Sequence, residues 1–171
     1  IESGRTVVKL FRNGITARKF MTRDSFRNAI AVDMALGGST NTILHLMAAA
    51  NEAGVNLTLD DFNEIGSRVP HIAPIYPGGP YMIEDLVPAI MKSIKDKLNL
   101  DLPTVSGKSI REIIDGTPIK NPDIIRDVSN PVHKSGGIAI LKGNLAPNGS
   151  VIKTGALREK YRFAGKAAVF D

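Results

Sequence analysis

The sequence predicts an α/β chain, with a helical layer first and a β-rich segment after it. Three observations carry this reading. Between residues 22 and 99 apolar side chains recur at helical spacing. From residue 137 onward they fall in short β-type runs. Between the two, residues 117–135 form an extended passage punctuated by Pro118, Pro122 and Pro131. A boundary is therefore expected near 116–122, with residues 1–116 as one unit and 117–171 as a linker and the start of a second.

The elements follow in order. Thr22 is a helix cap for a helix carrying Phe26, Ala29, Ile30 and Met34 on one face, broken by Gly37 and Gly38. Ser39 or Thr40 caps the next helix, with Ile43, Leu44, Met47 and Ala48 inward and Gly54 closing it. Thr58 and Asp61 have capping-box spacing and open a third helix that ends near Pro70. Residues 74–80 are a Pro- and Gly-rich loop. A fourth helix is expected over 82–98, kinked or restarted by Pro88, and a short fifth over 106–115, stopped by Gly116. Gly137–Leu141, Ser150–Lys153 and Lys166–Phe170 read as strands. The loop 142–149 between the first two ends in an Asn148-Gly149 turn signal.

Composition narrows the class. Of 171 residues, 43% are hydrophobic and 23% charged, near the globular average, which argues against disorder and fibrous folds. No run of 18 apolar residues exists, so no membrane helix is expected. Residues 1–25 lack the apolar core of a secretory leader. Cysteine is absent, which removes disulfides, thiolate metal sites and cysteine nucleophiles from this chain. The net charge of +5 arises in residues 1–27, where seven bases face two acids. No aromatic stripe interleaves those bases, so they read as a solvated face, and neither nucleic acid nor membrane is an expected partner. The chain begins at Ile1 rather than Met and stops at Asp171 inside a β-type run, so it is expected to be cut from something longer.

Little of the chemistry-bearing inventory forms a pattern. Gly107-Lys108-Ser109 resembles the tail of a phosphate-binding loop, but Leu102 stands where that motif needs glycine, so the run reads as a helix start. His45, His71 and His133 are too scattered for a metal triad, and His45 reads as a core or interface histidine. Asp60 and Asp61 are helix-start acids that suit the macrodipole. The informative run is Gly37 to Asn41. Two glycines permit close backbone approach, and three small polar side chains follow where a helix N-terminus offers free N–H groups, a place suited to a carboxylate or phosphate. An ordinary helix–helix turn would use the same residues.

Taken together, Ala35–Leu46, Leu59–Phe62, Arg68–His71, Met82–Leu86, Thr104–Lys108, Gly136–Pro147 and Val151–Thr154 resemble the dihydroxyacid dehydratase and phosphogluconate dehydratase family, and the dihydroxyacid branch more closely. The resemblance implies the end of a helical, α/β dehydratase N-terminal domain followed by the start of a β-rich swivelling-barrel domain. It implies an enzyme that converts 2,3-dihydroxy acids to 2-keto acids in branched-chain amino-acid synthesis. An iron–sulfur cluster would act on the departing 3-hydroxyl. Mg²⁺ would hold the carboxylate and 2-hydroxyl, and a serine near the metal would take the C2 proton. The family's cluster cysteines and most Mg²⁺ ligands lie upstream of the matched region, and the serine lies downstream. No catalytic or metal residue is therefore expected here, and the isolated chain is expected to be inactive and to bind neither cofactor alone. The family's glycine-rich insert is missing between Leu86 and Val87.

Gly38, Ser39, Thr40 and Asn41 are the expected substrate-facing residues, with His71 and Lys134 as further candidates. The expected partners are a 2,3-dihydroxy acid, the remainder of the parent chain and a second copy in a homodimer, in the cytoplasm. Two other readings stand beside this one: a sugar-acid (phosphogluconate-type) dehydratase fragment, and a non-catalytic module of the same descent that holds a small acid at Gly37–Asn41.

Overall fold

The structure is a computed structural model, and it describes residues 1–76, 79–81, 86–119, 121–154, 164–166 and 168. Six α-helices and one β-hairpin form the regular structure of those residues. The expected α/β class holds, with helix dominant and a two-stranded antiparallel sheet.

Helix α1 (Glu2–Arg12) lies where the sequence suggested no element, and none of its residues is buried. Helix α2 (Arg23–Leu36) starts at Thr22, whose side chain accepts from the Ser25 N–H at 3.2 Å. It buries Phe26, Ile30, Ala31, Met34 and Ala35, and ends at Gly37 in the left-handed conformation (φ +60°).

Helix α3 (Thr40–Ala53) is capped by Ser39 and closed by left-handed Gly54, as expected. Its inward face is only half the expected one: Ile43 and Met47 face the core, and Leu44 and Ala48 do not. Leu44 is 67% exposed, and Ala48 and His45 are exposed too. The buried residues are Ile43 and Ala50, with Leu46 and Met47 packed against the core. The helix is apolar on more than one side, so periodicity could not choose the face.

Helix α4 (Leu59–Arg68) opens on the expected capping box. The Thr58 N–H donates to Asp61 Oδ2 at 2.9 Å and the Thr58 hydroxyl to the same oxygen at 3.0 Å. Asp61 is buried, and its other oxygen meets Arg23 at 2.6 Å and Arg27 at 3.4 Å. Two of the seven N-terminal bases are thus tied to α4 rather than to solvent alone.

The fourth and fifth helices are shorter than expected. Helix α5 (Val87–Ser93) has Pro88 in its first turn, where the missing N–H costs nothing, so Pro88 starts the helix rather than kinking it. A 3₁₀ turn, Lys95–Lys97, follows. The expected residues 82–85 lie outside those described. Helix α6 (Ile110–Asp115) begins at Ser109, not 106, because Ser109 and Glu112 form a second capping box. Gly107 (φ +82°) turns the chain just ahead of it, so Gly107-Lys108-Ser109 is a helix start.

Strands β1 (Ala139–Gly143) and β2 (Ala146–Ile152) pair antiparallel, with Ala139 opposite Ile152 and Gly143 opposite Ala146. The hairpin turn is therefore Asn144-Leu145, not Asn148-Gly149. The latter pair sits inside β2 at the register shift between Leu141 and Gly143. Gly149 suits that place because its φ of +110° is one that side chains disfavour, and a Cβ would also stand 2.8 Å from Leu59 Cδ1 at the start of α4. The third expected strand falls largely outside the described residues.

The core lies between α2, α4, α5 and the hairpin. Phe62, Ile30, Met34, Ile72, Ile90 and Ile94 are all buried to 1% exposure or less. Ile125, from within the proline-punctuated passage, and Ile138 and Ile140, from beyond it, share this core. Asn63 pins the hairpin to α4. Its amide nitrogen donates to the Ile140 carbonyl at 3.1 Å, and its amide oxygen accepts from the Ile140 N–H at 2.9 Å. An Asn63→Ala change removes both bonds and leaves a partly buried backbone pair unmet. We expect a loss of about 1–3 kcal/mol in chemical denaturation, with hairpin amides losing hydrogen-exchange protection before those of α2.

Candidate functional site

The sequence between α2 and α3 is short, so the chain must reverse within Gly37, Gly38 and Ser39. Each glycine is pressed against a buried ionisable side chain. A Cβ on Gly37 would lie 2.5 Å from His71 Nε2, and one on Gly38 would lie 1.9 Å from Asp33 Oδ1. A Cβ on Gly137 would lie 2.4 Å from Gly37 Cα, and the Gly137 N–H donates to the Met34 carbonyl at 3.1 Å. Side chains are excluded here on three sides by backbone and buried polar atoms.

The turn presents the expected residues. Gly38 is half-buried, while Ser39, Thr40 and Asn41 are exposed around the first turn of α3. Ser39 Oγ accepts from the Asn41 N–H at 3.2 Å, and the Ser39 carbonyl accepts from the Thr42 N–H at 3.0 Å. The N–H groups of Ser39 and Thr40 find no acceptor among the described residues. Unpaired N–H groups at a helix start are donors of the kind that suit an anion.

His71 and Lys134 lie differently. His71 is 2% exposed and sits behind Gly37. Its Nε2 lies 2.8 Å from the Ala73 carbonyl and its Nδ1 3.0 Å from His133 Nδ1. Burial lowers its pKa, with the nearby His133 and Lys153 adding to that and the Ala73 carbonyl opposing it. Lys134 is exposed in the segment that follows His133.

Two participants escaped the sequence reading. Asp33 is 8% exposed, and its Oδ2 has no hydrogen-bond partner among the described residues. Burial pushes its pKa up to about 6, against the Thr42 hydroxyl and the charge of Lys153, both of which lower it. Lys153, at the end of β2, is the second. An acid between Ile30 and Met34 on an otherwise apolar helix face was the available signal for Asp33. Nothing local marks Lys153, which arrives through the hairpin.

Beside this turn a cavity of about 550 Å³ lies between α2, α5 and residues 102–105. Val32, Leu36, Val87, Met91, Leu102 and Val105 line it, and Asp33 and Thr42 bring it to the first turn of α3. Gly37–Asn41 do not line it; Leu36 and Thr42, on either side of that run, do. Among the described residues no three of His, Cys, Asp or Glu converge as a metal site, and the chain has no cysteine. Of the two buried acids, Asp61 is taken up by Thr58, Arg23 and Arg27, which leaves Asp33 as the single buried acid at this turn, so these residues do not fit an iron–sulfur cluster or a magnesium ion.

A buried carboxyl with a raised pKa favours folding in its protonated form. Its cost is absent below the unfolded value, 3.8, grows as pH rises and is complete above about 6. Asp33→Asn removes that cost. We expect the variant to gain about 2–3 kcal/mol at pH 7.5 relative to its effect at pH 4, read from melting curves at the two pH values.

Comparison with known proteins fits this geometry into a family. A family model described as dihydroxy-acid/6-phosphogluconate dehydratase N-terminal matches residues 1–113, and the corresponding C-terminal model matches residues 123–171. The chain is 49% identical to a dihydroxy-acid dehydratase of Thermodesulfovibrio yellowstonii over 176 residues, which is 99% of this chain and 32% of that protein. It is 51% identical to one of Acidothermus cellulolyticus over 179 residues, and 49% to one of Methanococcoides burtonii over 180, with the same two shares. The chain thus spans about a third of the length of these relatives. It belongs to the dihydroxy-acid/6-phosphogluconate dehydratase family.

Proposed function

We propose that this chain is part of a dihydroxy-acid dehydratase, a hydro-lyase that removes water from a 2,3-dihydroxy acid. The reaction breaks the C2–H and C3–O bonds, releases the hydroxyl as water with one proton, and leaves an enol that tautomerises to the 2-keto acid. Residues 1–116 form the end of the enzyme's α/β domain, and 117–171 the linker and start of its swivelling domain. Gly38, Ser39, Thr40 and Asn41 face the cleft and receive the substrate carboxylate. The iron–sulfur cluster and Mg²⁺ that the family resemblance implies supply Lewis-acid chemistry from elsewhere in the enzyme, in a cytoplasmic homodimer of the branched-chain amino-acid pathway.

The observation that carries this reading is the pairing of an open helix N-terminus with an apolar cavity of about 550 Å³. A short branched dihydroxy acid presents a carboxylate and an aliphatic body, which matches both parts. A phosphorylated sugar acid has no apolar body to place in such a cavity. No described helix is long and apolar enough to cross a membrane, which suits such an enzyme.

The test uses the enzyme that contains this chain. It should form keto acid from 2,3-dihydroxyisovalerate faster than from 6-phosphogluconate, and the isolated 171-residue chain should form none. The reverse preference would favour the sugar-acid branch. No turnover of either, with retained acid binding at Gly37–Asn41, would favour a binding module. Within the enzyme, Asn41→Ala should raise KM about tenfold, the worth of one charge-assisted hydrogen bond, with an unchanged melting temperature.

A further inference from the structure

Residues around the α2–α3 turn come from two stretches that are far apart in sequence. Gly37 and His71 lie in the part matched by the N-terminal family model, and His133 lies in the part matched by the C-terminal one. Backbone bonds join the stretches at this point. The His71 N–H donates to the His133 carbonyl at 3.0 Å, and the Val132 N–H donates to the His71 carbonyl at 2.8 Å. The imidazoles join them again, Nδ1 to Nδ1 at 3.0 Å, with the rings within 13° of parallel.

The proton assignment follows from the partners. The Ala73 carbonyl can only accept, so His71 Nε2 carries the proton. In the neutral ring Nδ1 then holds a lone pair, and His133 Nδ1–H must donate to it. His71 is held at both nitrogens, and the face it presents lies against Gly37 closely enough to forbid a Cβ there.

We propose that His71 is a positioning residue for the Gly37–Asn41 turn, and that the His71–His133 pair transmits the placement of residues 131–137 to the substrate-facing start of α3. The role rests on the dehydratase reading for its effect on catalysis, but its structural half does not. Acid tests the same pair. A second proton on His71 would sit on Nδ1, facing the N–H of His133, and the bond between the rings would be lost. Besides His133, the charged group set against His71 is Lys153 from the end of β2, and it too disfavours that proton. Asp33 packs on the other glycine.

The experiment substitutes the exposed partner, so that the buried ring and its packing remain. His133→Ala removes the donor, and His133→Asn keeps an N–H donor in its amide. Two readouts are taken on the enzyme containing this chain: amide chemical shifts of Gly37–Asn41, and KM and kcat for the dihydroxy acid. We expect His133→Ala to shift those amides and raise KM about fivefold, the equivalent of one ordinary hydrogen bond, with kcat changed less. His133→Asn should restore most of both. In the unsubstituted protein the same amides should move together as pH falls below the ordinary histidine range. If His133→Ala leaves the Gly37–Asn41 amides unmoved, the positioning role is overturned. If they move while KM does not, the pair does not reach the substrate site, and the inference fails there. If the enzyme turns over no dihydroxy acid, the dehydratase reading fails while the amide shifts still decide whether His71 positions the turn.

Discussion

The exclusion of side chains between α2 and α3 is the constraint on which the rest of the structure depends. Gly37 must be left-handed to end α2 where it does, and it must lack a Cβ because His71 occupies that space. Gly38 must lack one because of Asp33, and Gly137 because Gly37 itself lies against it. This contact brings helix α2, the segment after α4 and the approach to the hairpin to one point. It sets the direction of α3, and so decides which way the N–H groups at its start face. A methyl group at Gly37 or Gly137 would force apart elements that share one core, and one at Gly38 would displace the Asp33 carboxylate.

Much of this was legible where the determinants are local. Thr22, Ser39 and Thr58 each cap a helix with a hydrogen bond to a residue two or three positions on, so three- and four-residue patterns were enough. The reading failed where a distant partner decides. Leu44 and Ile43 are equally apolar, and only the position of the core selects Ile43. Asn148-Gly149 is a sound turn signal, but Gly149 is spent on the approach to Leu59, and the turn passes to Asn144-Leu145. Ser39, Thr40 and Asn41 were visible as a group because they are contiguous. Asp33, His71, His133 and Lys153 act around the same turn from four places in the chain, and no spacing rule joins them.

The charge distribution tells a related story. The excess of bases in residues 1–27 looks uniform in sequence, yet it divides in the structure. Arg23 and Arg27 converge on Asp61, and Arg27 also meets Glu64 at 3.1 Å. Asp61 in turn caps α4 through Thr58. One carboxylate therefore serves as a helix cap and as the counter-ion that locks α2 to α4. Removing the arginines would leave a buried carboxylate uncompensated, which costs more than breaking an exposed pair.

The Asn63 contact has a consequence for the order of events during synthesis. Its partner Ile140 follows it by 77 residues. At 5–20 residues per second, a ribosome needs roughly 4–15 s to make that stretch. For that interval α2 and α4 have emerged, but Ile138 and Ile140 have not arrived to cover them. The helical half must wait with part of its apolar face uncovered, which is the condition that recruits chaperones to nascent chains. The bond that finally fastens the hairpin is thus also the one that the growing chain makes late.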